Sequence, residues 1–156
     1  MTETKPELSP VHKRVRVACD VEHAFRTFTE GIGTWWPVET HSITAGPDRS
    51  HPPDGVIFEP SAGGRLYERT QDGRECDWAT VLVYEPPYRV VLQWTVNPAA
   101  PPTEVEVVFE TDGDGTIVKL EHRGWERYGD GGTTARSSYD SGWPGVLQRY
   151  EETAGV

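Results

Sequence analysis

The stretch "YRVVLQWTVNPAAPPTEVEVVFETDGDGTIVKLEHRGW", residues 88–125, decides the fold. It holds three runs in which apolar and polar residues alternate, and alternation at period two places successive side chains on opposite faces of a strand. Val90, Leu92, Trp94 and Val96 share one face of the first run, against Arg89, Gln93 and Thr95 on the other. Val105, Val107 and Phe109 stand against Glu104, Glu106 and Glu110 in the second, and Val118 and Leu120 against Lys119, Glu121 and Arg123 in the third. The separators are turn chemistry: "NPAAPP" in one case and Asp112-Gly113-Asp114-Gly115 in the other. The stretch therefore reads as three antiparallel strands with one apolar face. By the same parity His122 points inward, the clearest polar residue on that face.

Working outward, "VIFEP", "GRLYERT" and "RECDWATVLVYE" are further strands, with Asp72-Gly73 as a hairpin turn and Pro86-Pro87 as the turn into Tyr88. Near the N-terminus "HKRVRVAC" (12–19) alternates with Val15 and Val17 on one face, giving a seventh strand. Asp20 then offers a helix N-cap, and Val21, Ala24, Phe25 and Phe28 follow at helical spacing until Gly31 and Gly33 stop the helix. "IGTWWP" is at most one further helical turn. Residues 44–55 and 126–138 read as loops on their Gly, Pro and Asp content. In the last segment Trp143, Val146, Leu147 and Tyr150 recur at helical spacing. Pro144 fits only a first turn, so the helix is predicted to start near Asp140 or Ser141 and end near Thr153. That is roughly 13 residues, about 20 Å.

The order is strand, two short helices, six strands, terminal helix. A sheet with one apolar face must cover it, and the terminal helix is the long amphipathic element available. The expected class is α+β: a curved, seven-stranded antiparallel sheet wrapped around the C-terminal helix, with two short helices between strands 1 and 2. Residues 1–11 are expected to be a flexible arm and 12–153 a single domain. A gap between curved sheet and helix is where small-molecule sites form.

Composition narrows the partners. With 15 basic and 25 acidic residues the net charge is −10, a field that repels phosphate backbones and anionic lipid heads. Neither nucleic acid nor membrane is expected as a partner. No apolar span is long enough for a membrane helix, and "MTETKPELSP" lacks the plan of a signal peptide, so a cytoplasmic location is expected. Cys19 and Cys76 are far apart and read as buried reduced thiols. His41, His51 and Glu59 match no metal-ligand spacing, and no metal or cofactor is expected.

Chemistry-bearing candidates are few. There is no Gly-x-Ser-x-Gly elbow, and "GDGGTT" lacks the lysine and context of a phosphate loop. In "GRLYERT" Leu66 and Glu68 share a face, so Glu68 is inward if Leu66 is, and then needs a partner; His122 is one candidate. Parity cannot place Trp78, because "ECDWATVLVYE" is apolar on both faces near its centre. "GTWWP" (33–37) puts two rings where the first helix breaks off. Pro37 disfavours a helical Trp36, so the two side chains should diverge, with Trp36 toward the gap.

Across residues 12–152, "RVACDVEHAFRTFTEGIGTWWP", "GGRLYERTQDG", "WATVLVYEPPYRVVLQW", "EVEVVFETDGDGTIVKLEHRGW" and "YDSGWPGVLQRY" resemble the SRPBCC superfamily. Within it they are similar to bacterial stand-alone proteins named after the activator of heat-shock protein 90 ATPase, specifically its C-terminal domain. The resemblance implies a helix-grip (START-like) fold with an apolar cavity between sheet and long helix. It places Trp35 or Trp36 after the first helix, His122 at the end of the last strand, and Trp143 at the start of the final helix. The expected ligand-binding set is thus Trp35, Trp36, Glu68, Trp78, Trp94, His122 and Trp143, joined by inward-facing Phe58, Phe109 and Leu147. A final helix shorter than in many relatives implies a smaller or more open pocket. Three functions are weighed. The first is a non-enzymatic protein that binds a small apolar or aromatic ligand. The second is a cyclase-, dehydratase- or hydrolase-type enzyme using Glu68 and His122 as an acid/base pair. The third is a domain binding a chaperone or other protein, with exposed Trp35 and Trp36 as anchors.

Overall fold

A computed structural model describes residues 8–42, 44, 52–97 and 99–155. Its seven strands are β1 (Val11–Val17), β2 (Gly55–Phe58), β3 (Arg65–Arg69), β4 (Glu75–Glu85), β5 (Arg89–Trp94), β6 (Thr103–Asp112) and β7 (Gly115–Arg123). They form one antiparallel sheet in the order β1-β7-β6-β5-β4-β3-β2, so the chain meanders from β2 to β7 and β1 lies beside β7. Helix α1 spans Val21–Phe28 and is followed by a 3-10 turn at Ile32–Thr34; the long helix α2 spans Gly132–Ala154. The sheet curls around α2 and the two short helices close one end, which is the helix-grip arrangement.

Local chemistry accounts for the elements. Asp20 caps α1 by accepting a hydrogen bond from the His23 N–H at 2.8 Å, and Ala24, Phe25 and Phe28 form the buried stripe. In β5, β6 and β7 the face predicted inward is buried throughout: Val90, Leu92 and Trp94; Val105, Val107 and Phe109; Val118, Leu120 and His122. Opposite it, Arg123 bridges Glu104, Glu106 and Glu121, and Arg89 pairs with Glu85 and Glu106. Strand β1 starts at Val11, which is fully buried, and residues before it are docked. Leu8 packs on the core, and Arg136 donates to the carbonyls of Ser9 and Pro10. Residues 1–7 of the arm, 45–51 of the Pro/Gly loop and Pro98 lie outside the described residues.

The terminal helix departs from its prediction. It begins at Gly132 rather than near Asp140 and runs for 23 residues, about 35 Å. Residues 126–138 are accordingly not an open loop: 3-10 turns within Trp125–Gly131, broken by a kink at Gly129 (φ 60°), lead into α2. Pro144 sits inside the helix, where it removes one N–H from the backbone ladder. Trp143, Val146, Leu147, Tyr150 and Ala154 on either side of it are buried against the sheet and α1, and that burial outweighs one lost hydrogen bond. Both cysteines are half-buried free thiols rather than fully buried ones, and Cys19 lies two residues past β1. Burial pushes both thiols up, which keeps them protonated and poorly nucleophilic.

Candidate functional site

A cavity of about 220 Å³ opens between the sheet, α2 and the segment after the first 3-10 turn. Trp36, Trp78, Trp94 and Trp143 wall it, with Val96 and Val146. Trp36 is the hub: its ring centroid lies 4.9 Å from Trp78, 6.1 Å from Trp143 and 6.4 Å from Trp94. The polar lining comes from Thr40, His41 and Ser42 on one side and from Ser138 and Tyr139 of α2 on the other. Gly142 completes the wall, and a Cβ there would meet His41 Nε2 at 3.7 Å.

Each of the four indole N–H groups is already bonded within the protein. Trp36 donates to the His41 carbonyl (2.6 Å), Trp78 to Glu68 Oε1 (2.7 Å), Trp94 to the Tyr139 hydroxyl oxygen (3.0 Å) and Trp143 to His122 Nδ1 (3.1 Å). The walls therefore offer ring faces and edges to a guest but spend their donors on holding themselves in place. An unpaired buried donor would cost about 1–3 kcal/mol, so these bonds also fix which way each ring points.

A β-bulge positions Trp78. In the β3–β4 register Leu66 pairs with Ala79 and Tyr67 with Asp77, leaving Trp78 without an opposite number. Both Trp78 and Ala79 are buried as a result, although they are consecutive. Simple alternation could not place Trp78 because the strand does not alternate there.

His122 and Glu68 are the polar supports behind the walls. Both are fully buried and neither lines the cavity. His122 Nδ1 accepts from Trp143, so its other nitrogen carries the proton and donates to Thr103 Oγ1 at 2.8 Å. Its ring also packs against Trp125 and Tyr139, at centroid distances of 4.3 and 4.6 Å. Burial pushes the imidazole pKa down from 6.5 to about 3, so it is neutral at physiological pH. Glu68 accepts from Trp78, from the Thr44 N–H at 2.9 Å and from the Thr44 hydroxyl. It thereby ties one cavity wall to the segment that carries Thr40, His41 and Ser42. The described hydrogen bonds do not join Glu68 to His122: each carries a different tryptophan. The two form no acid/base pair in this arrangement.

The remaining candidates sit elsewhere. Trp36 is on the cavity and Trp35 is not, yet the two rings do not diverge: their centroids lie 5.8 Å apart. Trp35 packs on Phe28 and Tyr150 at 5.3 and 5.2 Å and donates to the Thr27 carbonyl at 2.8 Å. Phe109 meets Phe25 and Phe28, and Phe58 lies against Tyr84, all away from the cavity. Leu147 is buried one turn beyond Trp143 and borders a shallow outer groove between β1 and α2 instead. Sequence reasoning missed Ser138 because its segment reads as a loop, and Tyr139 because it falls just ahead of the predicted helix start. It also missed His41 and Ser42, which carry no periodic signal. Among the described residues no cluster of three His, Cys, Asp or Glu could hold a metal; His51 lies outside them.

A curled antiparallel sheet gripping a long helix around an aromatic-lined cavity defines a protein of the helix-grip, SRPBCC class. The family model for "Activator of Hsp90 ATPase homolog 1-like protein" matches residues 18–155, and the chain belongs to that family. Among solved structures it is 34% identical to an anthrahydroquino-γ-pyrone synthase, Txn09. That match has a TM-score of 0.63 and covers 96% of this chain and 99% of the other. It is 27% identical to CalC, a self-sacrificing resistance protein from Micromonospora echinospora, at a TM-score of 0.66 with 94% of each chain covered. The Aha1 dimer from Colwellia psychrerythraea shares the fold at 16% identity, with a TM-score of 0.68 and 96% and 98% coverage. No curated protein matches the chain. No helix among the described residues is long and apolar enough to cross a membrane.

Proposed function

We propose that this protein binds a planar aromatic small molecule in the tryptophan-walled cavity. The observation that carries the reading is that four indoles surround one opening while all four of their N–H groups are bonded to the protein. Such a wall recognises by stacking and edge-to-face contact, which favours flat rings. The volume, about 220 Å³, suits a small fused ring system: a cavity of roughly 150 Å³ in another protein already admits benzene. The indoles, rather than a short final helix, limit the space. Titration with naphthalene-sized probes, followed by quenching of tryptophan fluorescence, should saturate at one site. Gly142→Leu, which extends a side chain from the cavity wall, should abolish it. Binding that survives Gly142→Leu, or no binding to the native chain, overturns the reading.

A second reading, ring closure on an aromatic precursor, is favoured by the 34% identity to a γ-pyrone synthase over nearly the whole of both chains. The chemistry needs no redox partner. The phenol oxygen of an ortho-hydroxyaryl 1,3-diketone bonds to the remote ketone carbon, and water leaves to give the γ-pyrone. Incubating such a diketone with the protein and following pyrone absorbance tests it; a rate equal to the uncatalysed one sinks it. The partner-binding reading asked for exposed Trp35 and Trp36, and both rings are buried.

A further inference from the structure

Resting on the reading that the cavity takes a flat aromatic guest, we propose that the Tyr139 hydroxyl is its specificity determinant, donating a hydrogen bond to a carbonyl oxygen on that guest. The ligand class is then a fused aromatic ketone rather than an aromatic hydrocarbon. The inference comes from counting donors. The four indoles are committed to protein acceptors. The Thr40 hydroxyl is engaged with the Pro37 carbonyl and with His41 Nδ1, neither His41 nor Ser42 is without a partner, and Ser138 is exposed at the rim, open to water.

Tyr139 differs from all of these. Its oxygen accepts from Trp94 Nε1 at 3.0 Å, and among the described residues no acceptor takes its own proton. A phenol has one proton to give, and this one belongs to a half-buried group on the cavity lining. The ring cannot swing away to find another partner, because His122 and Trp125 hold it from behind at centroid distances of 4.6 and 5.4 Å. Burial raises the phenol above its ordinary range, against the opposing bond from Trp94, so it keeps its proton at neutral pH. A donor fixed in place beside apolar walls rejects a guest that brings no acceptor, because the donor is then left unpaired.

Chromone and naphthalene make the test: each has two fused six-membered rings, and only chromone carries a carbonyl. The native protein should bind chromone roughly threefold to tenfold tighter, the range one net hydrogen bond supplies. Tyr139→Phe should erase the chromone preference, weakening chromone and relieving the penalty that the unpaired hydroxyl imposes on naphthalene, so that the two affinities converge. Equal binding of both probes by the native chain, or a chromone preference that survives Tyr139→Phe, overturns the assignment while leaving the cavity reading standing. Binding of neither probe overturns both. The carbonyl stretch of bound chromone supplies a readout independent of the variant's folding. It should lie below its position in an apolar solvent, and an unshifted band overturns the proposal.

Discussion

The interior has two aromatic ends built from the same kind of residue, and one is packed while the other is hollow. At the closed end Phe25, Phe28, Trp35, Phe109 and Tyr150 interlock with centroids 5.1–5.8 Å apart, and the Tyr150 hydroxyl donates to the Ala24 carbonyl of α1 at 2.8 Å. At the other end Trp36, Trp78, Trp94 and Trp143 stand around open space. The adjacent residues Trp35 and Trp36 mark the boundary: their rings touch at 5.8 Å, and Trp36 alone reaches the open space. The difference lies in what fills the space between the rings. Hydrogen bonds anchor rings at both ends; at the closed end other rings and α1 also fill the volume, whereas at the open end the anchored indoles leave space between them. Aromatic content alone therefore does not mark a site. The marker is an aromatic ring whose polar atom is anchored and whose face is left over.

The largest expected effect is at the closed end. Trp35→Ala should destabilise the protein by about 3–5 kcal/mol in denaturant unfolding, the usual cost of emptying a packed aromatic position. A loss under 1 kcal/mol would mean that this end is not the better packed of the two.

Next comes the acid limb of stability, which reads the support of the open end. The folded pKa of His122 is depressed, so below about pH 6.5 the unfolded chain takes up a proton that the folded chain refuses until about pH 3. The stability is present above pH 6.5 and is lost as pH falls toward 3, at up to about 1.4 kcal/mol per unit. Between pH 6.5 and 5 that is about 2 kcal/mol. The ion-paired carboxylates Glu75, Glu106 and Asp140 are held below their ordinary values and contribute at lower pH. His122→Gln should flatten the slope in that window, whatever it does to the absolute stability. An unchanged slope would place the titration elsewhere.

The smallest effects oppose each other in sign. A Cβ on Gly33, near the closed end, would lie 2.7 Å from the Val56 carbonyl oxygen, so Gly33→Ala should cost at least about 1 kcal/mol. Gly142 lies in α2 with only His41 Nε2 nearby, at ordinary contact distance. Gly142→Ala should therefore add about 0.5–1 kcal/mol, since a mid-helix glycine is disfavoured by that amount. Thermal melts of the two variants moving in the same direction would erase the distinction between the ends.

Much of this was legible in advance, for identifiable reasons. Turn residues such as Asp72-Gly73 and Asp112-Gly113-Asp114-Gly115 fix strand limits locally, and alternation then fixes faces, which is why the inward set on β5–β7, His122 included, follows from parity. The placing of Trp36 rather than Trp35 on the cavity was anticipated from Pro37, whereas the contact between the two rings was not. What failed was whatever depends on tertiary context. Nothing local says that "GDGGTTARSS" continues into a helix, because that half of α2 buries little beyond Gly132 and carries glycines that favour a loop. Pro144 looked like a start and is an interior residue tolerated by the packing around it. Tyr139 was lost with that helix boundary, and the second face of β4 was lost with the bulge at Trp78.

The sheet is curled but not closed, and β1 has β7 as its single neighbour in the ladder. A free strand edge is a template on which another chain can crystallise its own backbone. Here that edge reads His12, Lys13, Arg14 and Arg16. Lys13 is tethered to Asp140 of α2, and Arg16 to Asp112 and Asp114 of the β6–β7 turn. A second copy adding itself along β1 would set arginine against arginine and pull these pairs apart. In an otherwise strongly acidic molecule, the basic residues gathered on this strand disfavour its pairing with a second copy of itself, as charges on edge strands do in general.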